Sequence, residues 1–246
     1  MQIKKILKFI KRKVKEAGAR GVVVGLSGGV DSAVVTALCK TALGRKKVTA
    51  LIIPESETPQ EDVADAVEFA KKIGVRYYIV DFSNVYKEFG KVIPIFDEKA
   101  LIPNGNLKAR IRMCILYYFA NRKKLLVAGT GNRSELLMGY FTRYGDGGVD
   151  FLPIGRLYKT DVAKLARKLG IPNKIIEKKP SPGLWRGQTA EGELGIPYVK
   201  LDEVLKRLKF SDSKIAKEVG LSEAKVRGVR KRIKLMKFKC EMPEVA

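Results

Sequence analysis

A parallel β-sheet covered by helices on both faces is the fold this sequence predicts, from three observations. Short apolar, β-branched runs alternate with longer segments of helical spacing from residue 3 to about residue 170, the pattern of strand–helix–strand units. A glycine-rich turn stands between the first such run and the helix after it. From about residue 200 the pattern becomes purely helical and more basic. All 246 residues are expected to form one domain, with residues 200–246 as its helical end.

The elements follow in order. Ile3, Ile6, Leu7, Ile10 and Val14 recur at helical spacing, which predicts a helix over 3–17. Gly21 to Gly25 reads as a buried strand, and the Ala-rich stretch 32–43 as a helix. Val48 to Ile53 is a second strand, stopped by Pro54. A helix over 60–73 carries acids in its first turn, where they favour the helix dipole. Val75 to Val80 is a third strand, 104–121 a long helix capped by Asn104, and Leu125 to Ala128 a fourth strand. Gly129-Thr130-Gly131-Asn132 leads into a further helix, and 159–169 is a helix ended by Gly170 and Pro172.

Composition narrows the function. Nothing approaches the roughly 20 apolar residues needed to cross a bilayer, and the basic N-terminus alternates with lysines instead of forming a secretory leader. A cytoplasmic location is expected. The three cysteines show no CxxC spacing, which argues against a disulfide framework or zinc site. Cys39 and Cys114 fall within apolar helices and are expected to be inert, whereas Cys240 has Lys237 and Lys239 beside it. Histidine is absent, which excludes Ser-His-Asp and Cys-His catalysis. Any metal must be a hard ion held by carboxylates, such as Mg²⁺. A net charge of +23 calls for an anionic partner: nucleic acid, a polyphosphate or an acidic protein.

The chemistry concentrates at Gly25-Leu26-Ser27-Gly28-Gly29-Val30-Asp31-Ser32, between the first strand and its helix. Two adjacent glycines let successive N–H groups converge on an anion, and the helix points its positive end at the same place. Ser27 and Ser32 add hydroxyl donors. Asp31 would repel a phosphate by itself and makes sense as a ligand of a Mg²⁺ bridging to it. The Gly-Lys-Ser/Thr ending of the Walker A loop is missing. Downstream, residues 129–161 hold Glu135, Arg143, Asp146, Asp150 and Lys159 among glycines 145, 147 and 148. Asp31 and Glu135 facing one cleft would suit a magnesium triphosphate, with Arg143 and Lys159 on its oxygens. The same residues also suit a solvated loop.

The 25–32 loop resembles the pyrophosphate loop of the N-type ATP pyrophosphatases, which cleave ATP between the α and β phosphates. Residues 129–161, with Asn106-Leu107-Lys108-Ala109-Arg110 upstream, Pro180-Ser181-Pro182-Gly183-Leu184-Trp185 downstream and then Gly187-Gln188-Thr189, resemble the signature of the NAD synthetase family. The likeness runs from about residue 5 to residue 243. It implies an adenine-nucleotide α-hydrolase-like, Rossmann-type fold. It also implies ATP-dependent amidation of deamido-NAD by ammonia through an acyl-adenylate, giving NAD, AMP and pyrophosphate. In that reading the 25–32 loop, Thr130, Lys159 and Ser181 contact ATP. Asp31 and Glu135 hold Mg²⁺, with Asp31 and Lys159 catalytic. Arg110, Arg143, Asp150 and Lys239 contact deamido-NAD, and the active unit is a homodimer. Departures from the family pattern are Arg143 for a more usual lysine, Ala190 for an aspartate, Phe238 for a histidine and Cys240 for an arginine. Phe141 and Tyr144 suit either stacking on the substrate's pyridine ring or core packing. With no histidine for a papain-like glutaminase and only 24 residues before Gly25, ammonia rather than glutamine is the expected nitrogen donor.

Residues 211–234 offer a competing signal. Ser211 and Ser222 read as caps of two short helices with Gly220 between them, and Ile215, Ala216, Val219, Val226 and Val229 as their inward face. This is a helix-turn-helix pattern with a basic second helix. The alternatives to the ligase are therefore another ATP pyrophosphatase, such as a tRNA-modifying enzyme, and a DNA-binding protein. No specific nucleic-acid partner and no membrane partner are expected.

Overall fold

The computed structural model describes residues 2–243 and 245. Four parallel strands, β1 (Gly21–Gly25), β2 (Val48–Ile52), β3 (Arg76–Ile79) and β4 (Leu125–Val127), lie in the order β3-β2-β1-β4. Val22 is level with Val48, Thr49 with Arg76, and Gly21 with Leu125. Ala128 continues past β4 to bridge Phe151.

The period of two along β1 divides the core. Val22 and Val24 face one layer, with α1 (Gln2–Glu16), α2 (Val30–Leu43), α3 (Gln60–Ile73) and α7 (Lys159–Lys168). Val23 faces the other, with Phe82 and α5 (Leu101–Lys123). In chain order α4 (Ser83–Val92) precedes α5, and α6 (Arg133–Met138) follows β4. α8 (Asn173–Ile176) follows α7. The remaining helices are α9 (Ala190–Leu194), α10 (Tyr198–Lys206), α11 (Asp212–Val219) and α12 (Glu223–Met236), and they share a cluster with Met138 of α6.

One sequence expectation needs correction, and one helix was not assigned. The long helix begins at Leu101, not at an Asn104 cap; Asn104 lies inside it and donates from its amide to Asp97 O and Glu98 O. α4 was not assigned from the sequence, although Val85, Phe89 and Val92 recur at helical spacing; it shows no buried residue. The helix-turn-helix pattern is real as local structure. Ser211 accepts from the Lys214 N–H and Ser222 from the Lys225 N–H, and Gly220 takes a left-handed conformation with φ 66°. Two of the basic residues of α12 turn inward: Arg230 binds Asp212 and the carbonyls of Leu208 and Phe210, and Arg232 binds Met138 O.

Candidate active site

β1 ends where the glycine-rich loop begins. Leu26 N–H still pairs with Leu51 O at 2.8 Å, after which the chain leaves the sheet. Gly28 takes φ +82°, and a Cβ there would sit 2.4 Å from Asp62 O, so only glycine lets the loop pass the start of α3. Ser32 Oγ donates to Gly29 O at 2.9 Å and accepts from the Ser27 N–H at 3.2 Å, which ties the loop to the first turn of α2. No side chain caps α2. Its first N–H groups therefore point out of the carboxyl end of the sheet, as an anion site requires.

Asp31 sits in that first turn and gathers a charged cluster. Its carboxylate accepts from Asn132 Nδ2 at 3.0 Å and from the Lys159 ammonium. Lys159 also lies 3.9 Å from Glu135 Oε1. Glu135 closes a capping box with Asn132, each backbone N–H bonding the other's side chain at 3.1 Å. Asp31, Glu135 and Lys159 keep only 17, 20 and 11 % side-chain exposure. Burial, and then the neighbouring Asp31 charge, push the Glu135 carboxyl well above its ordinary range. Burial alone would lower Lys159, but Asp31 and Glu135 outweigh it and hold the ammonium above its ordinary value. The structure thus brings together Asp31, Glu135 and Lys159, which are far apart in sequence.

Sequence reading missed what holds this cluster. Asp202 of α10 is fully buried, accepts from Ser134 Oγ–H, and caps α7 by accepting the Thr160 N–H at 2.8 Å. Ser134 Oγ in turn accepts the Lys159 N–H at 3.0 Å. The Lys159 ammonium lies 5.5 Å from the centre of the Tyr198 ring. A lone acid in an amphipathic helix gives no sequence signal for such a role. A second missed network is buried Lys108, which donates to Glu55 Oε1 and Leu184 O at 3.1 Å and to Glu57 Oε2 at 2.5 Å. It joins the loop after β2, α5 and the 180–189 segment.

The other expected residues are placed less tightly. Thr130 lies just after β4, half-buried. Ser181 is exposed on the segment between α8 and α9, where its Oγ accepts the Gly183 N–H at 3.1 Å. Asp150 accepts from the Val127 N–H at 2.7 Å and from Tyr117 Oη–H at 3.1 Å, finishing the free edge of β4. Arg110 donates to Arg143 O at 3.4 Å. Arg143 donates to Glu241 O at 2.8 Å and lies over Tyr144 and Phe238, so Phe238 packs on this guanidinium. Tyr144 is half-exposed and has φ 60°, a strained conformation for a residue with a Cβ. Lys239 donates to Gly139 O at 2.7 Å and to Phe141 O, closing the C-terminus of α6. Burial lowers its ammonium below the ordinary value.

The cysteine expectations are met only in part. Cys39 is buried and its thiol is pushed up to about 12 by burial. Cys114 is exposed, because it lies on the outward side of α5. Cys240 is exposed, but partial burial raises its thiol despite Lys239, which opposes reactivity.

Parallel strands ending at an anion-cradling loop, with the ligand face at their carboxyl ends, define an α/β nucleotide-binding protein. Comparison with known proteins narrows the class. The family profile described as NAD synthase matches residues 2–243. The NH(3)-dependent NAD(+) synthetase of Archaeoglobus fulgidus is 49% identical over 249 residues, covering 99% of this chain and 95% of its own length. The solved NH3-dependent NAD synthetase from Campylobacter jejuni is 36% identical with a TM-score of 0.84, covering 100% of this chain and 97% of that one. The solved NMN synthetase from Francisella tularensis is 33% identical with a TM-score of 0.86, with the same coverage. The chain belongs to the NAD synthase family.

Proposed function

We propose that this chain is an ammonia-dependent ligase that converts deamido-NAD to NAD at the expense of ATP. The observation that carries the reading is the gathering of Asp31, Glu135 and Lys159 at the mouth of the Ser27–Ser32 loop. The relatives named above supply the substrate class.

The first N–H groups of α2 and the loop hydroxyls receive the phosphates of ATP, with Thr130 and Ser181 as further contacts. The nicotinate carboxylate oxygen attacks the α-phosphorus, and the bond to pyrophosphate breaks. Lys159 exchanges its contact with Asp31 for a phosphate oxygen and offsets the charge gathering on the leaving group. Ammonia then attacks the acyl carbon, AMP leaves, and the surplus proton passes to solvent. Arg110, Arg143, Asp150 and Lys239 orient the dinucleotide.

Asp31 and Glu135 fit a divalent cation. They are two half-buried carboxylates, with burial and the Asp31 charge raising the Glu135 pKa, and among the described residues no third ligand joins them. Such a pair completed by substrate phosphates is the donor set Mg²⁺ takes. When bound there, Mg²⁺ screens the phosphate charge and makes the α-phosphorus easier to attack.

The unit is a homodimer in this reading. Val85, Phe89 and Val92 on α4, Ile95 after it, and Leu101, Ile102 and Tyr118 on α5 all expose apolar side chains, which a subunit interface would cover.

The test is to incubate the protein with ammonium, Mg-ATP and either deamido-NAD or nicotinic acid mononucleotide, and to identify the nucleotides formed. NAD, AMP and pyrophosphate in equal amounts support the reading. ADP and phosphate would overturn the pyrophosphatase chemistry. Faster turnover of the mononucleotide would favour the second reading, an NMN-forming enzyme, which the likeness to the Francisella tularensis structure motivates.

A further inference from the structure

The positive charge of the chain is segregated. No aspartate or glutamate occurs in residues 17–30, 32–54, 69–80 or 99–134. These stretches hold the four strands and the chain leading into each. The strands are parallel, so all four lead-ins meet at one end of the sheet, opposite the Ser27–Ser32 loop. Arg20 precedes β1, Lys46 and Lys47 precede β2, Arg76 opens β3, and Lys123 precedes β4. The sheet order turns these positions into a row: Arg76, then Lys46 and Lys47, then Arg20, then Lys123. At about 4.8 Å between neighbouring strands, the row is about 14 Å long.

Two adjoining cavities open along it. One, of about 420 Å³, is lined by Arg45, Lys46, Thr49, Gly74 and Arg76. The other, of about 150 Å³, places Arg20, Lys47, Arg76 and Lys123 around Tyr78 and Phe119. Neither has a carboxylate in its lining. Among the described residues, no ion pair engages Arg20, Arg45, Lys46, Lys47, Arg76 or Lys123.

Helix dipoles account for part of this charge. Lys71, Lys72, Arg122 and Lys123 lie in the last turns of α3 and α5, where cations are favoured. Arg20 and Arg76 stand on strand lead-ins, and sheets have only small dipoles. Unpaired like charges held this close repel one another and oppose folding. A polyanion lying along the row would relieve that repulsion.

We infer that the amino end of the sheet binds single-stranded nucleic acid without sequence preference. The row is longer than one phosphate needs and suits successive phosphates of a strand. Tyr78, 37% exposed, provides the stacking surface, backed by half-buried Phe119 with 5.4 Å between the ring centres. Backbone contacts to a cationic groove with bases on aromatic faces is the general mode of sequence-independent single-strand binding. The surface lies a strand's length from the Asp31 cluster, so it does not depend on the ligase reading.

The test is fluorescence anisotropy with a labelled 12-nucleotide oligouridylate across a salt series. The triple variant Arg20→Glu/Lys47→Glu/Arg76→Glu should bind at least tenfold more weakly than wild type. Its salt slope should flatten by about 2, at about 0.7 per phosphate contact on single strands. A control of equal charge change on α12, Arg227→Glu/Lys231→Glu/Lys234→Glu, should keep wild-type slope. Tyr78→Ala should weaken binding at least fivefold with the slope unchanged, since stacking involves no counterions. The neutral double variant Lys46→Gln/Lys47→Gln at exposed positions should flatten the slope by about 1.4 on the same scale, and serves if the triple variant does not fold. Equal losses in the two triple variants would overturn the site in favour of diffuse charge. An unaltered affinity in Tyr78→Ala would overturn nucleic acid as the occupant. Binding to anionic phospholipid vesicles without binding to the oligonucleotide would do the same.

Discussion

At the carboxyl end of the sheet the strong charges are buried and matched. Asp31 meets Lys159 and Asn132, Glu55 meets Lys108, and Asp202 meets Ser134 and the Thr160 N–H. At the amino end Arg20, Lys46, Lys47 and Arg76 are exposed and, among the described residues, have no carboxylate beside them. The two ends are built from the same four strands. The difference shows that a parallel sheet separates electrostatic tasks by direction. Loops leaving the strands converge helix N-termini and the Asp31 cluster, while the lead-ins converge helix C-termini and their lysines.

The largest effect expected from probing this contrast is on stability at the carboxyl end. Lys108→Met leaves Glu55, 4% exposed, without its cation. Loss of one partner of a buried pair costs about 3–5 kcal/mol, which a urea melt at neutral pH would register. A loss below about 1 kcal/mol would mean that water reaches Glu55. Next come Asp31→Asn and Glu135→Gln. Each should lower AMP release by about two to three orders of magnitude, the usual effect of removing one group that acts on transition-state charge. Circular dichroism should be unchanged, and near-normal turnover at low Mg²⁺ would remove that residue from the site.

Asp202→Asn should have an intermediate effect. It removes the charge from two hydrogen bonds, each worth about 1.5–3 kcal/mol when charge-assisted, and lets Lys159 drift. Turnover should fall about tenfold at saturating substrate with little change in KM, because Asp202 touches α7 and not the ligands. A variant that loses stability while keeping its turnover would make Asp202 purely structural.

The pH dependence follows from Glu135. Its folded-state pKa is raised, so the protonated carboxyl favours the ligand-free fold at acid pH, and that contribution is lost as pH rises from the ordinary glutamate range through the raised value. Glu135→Gln should therefore match wild type at acid pH and become the more stable protein as pH rises. Melts without Mg²⁺ across that range would show it, and parallel pH profiles would contradict it. The smallest effect belongs to the amino end. Lys46→Gln should change stability by no more than about 0.5 kcal/mol in either direction, as for other unpartnered surface positions. A larger loss would reveal an unseen partner for this charge.

Much of this was legible in the sequence. The strand–helix alternation predicted all four strands within a residue or two, because β-branched runs bounded by glycine and proline are local signals. The 25–32 loop was legible because its glycines answer a local backbone demand, seen in the φ of Gly28. The Ser211 and Ser222 caps were legible for the same reason. α4 was passed over although Val85, Phe89 and Val92 recur at helical spacing; in the fold that stripe is exposed instead of buried. The start of α5 was misread because Asn104 has the chemistry of a cap but bonds the preceding turn from within the helix.

By itself, then, the sequence determined the class of sheet, the glycine-rich 25–32 loop, the absence of histidine and the excess of positive charge, all of which depend on local pattern or composition. Only the tertiary structure decided that Asp202, Ser134 and Asn132 hold Lys159, Asp31 and Glu135 together, and that Lys108 is buried against Glu55. It also decided that the surplus lysines and arginines collect in a row at one end of the strands. The physical reason is range. Helix spacing, turns and caps act over a few residues, whereas burial and charge pairing act through space between segments that the chain order keeps far apart.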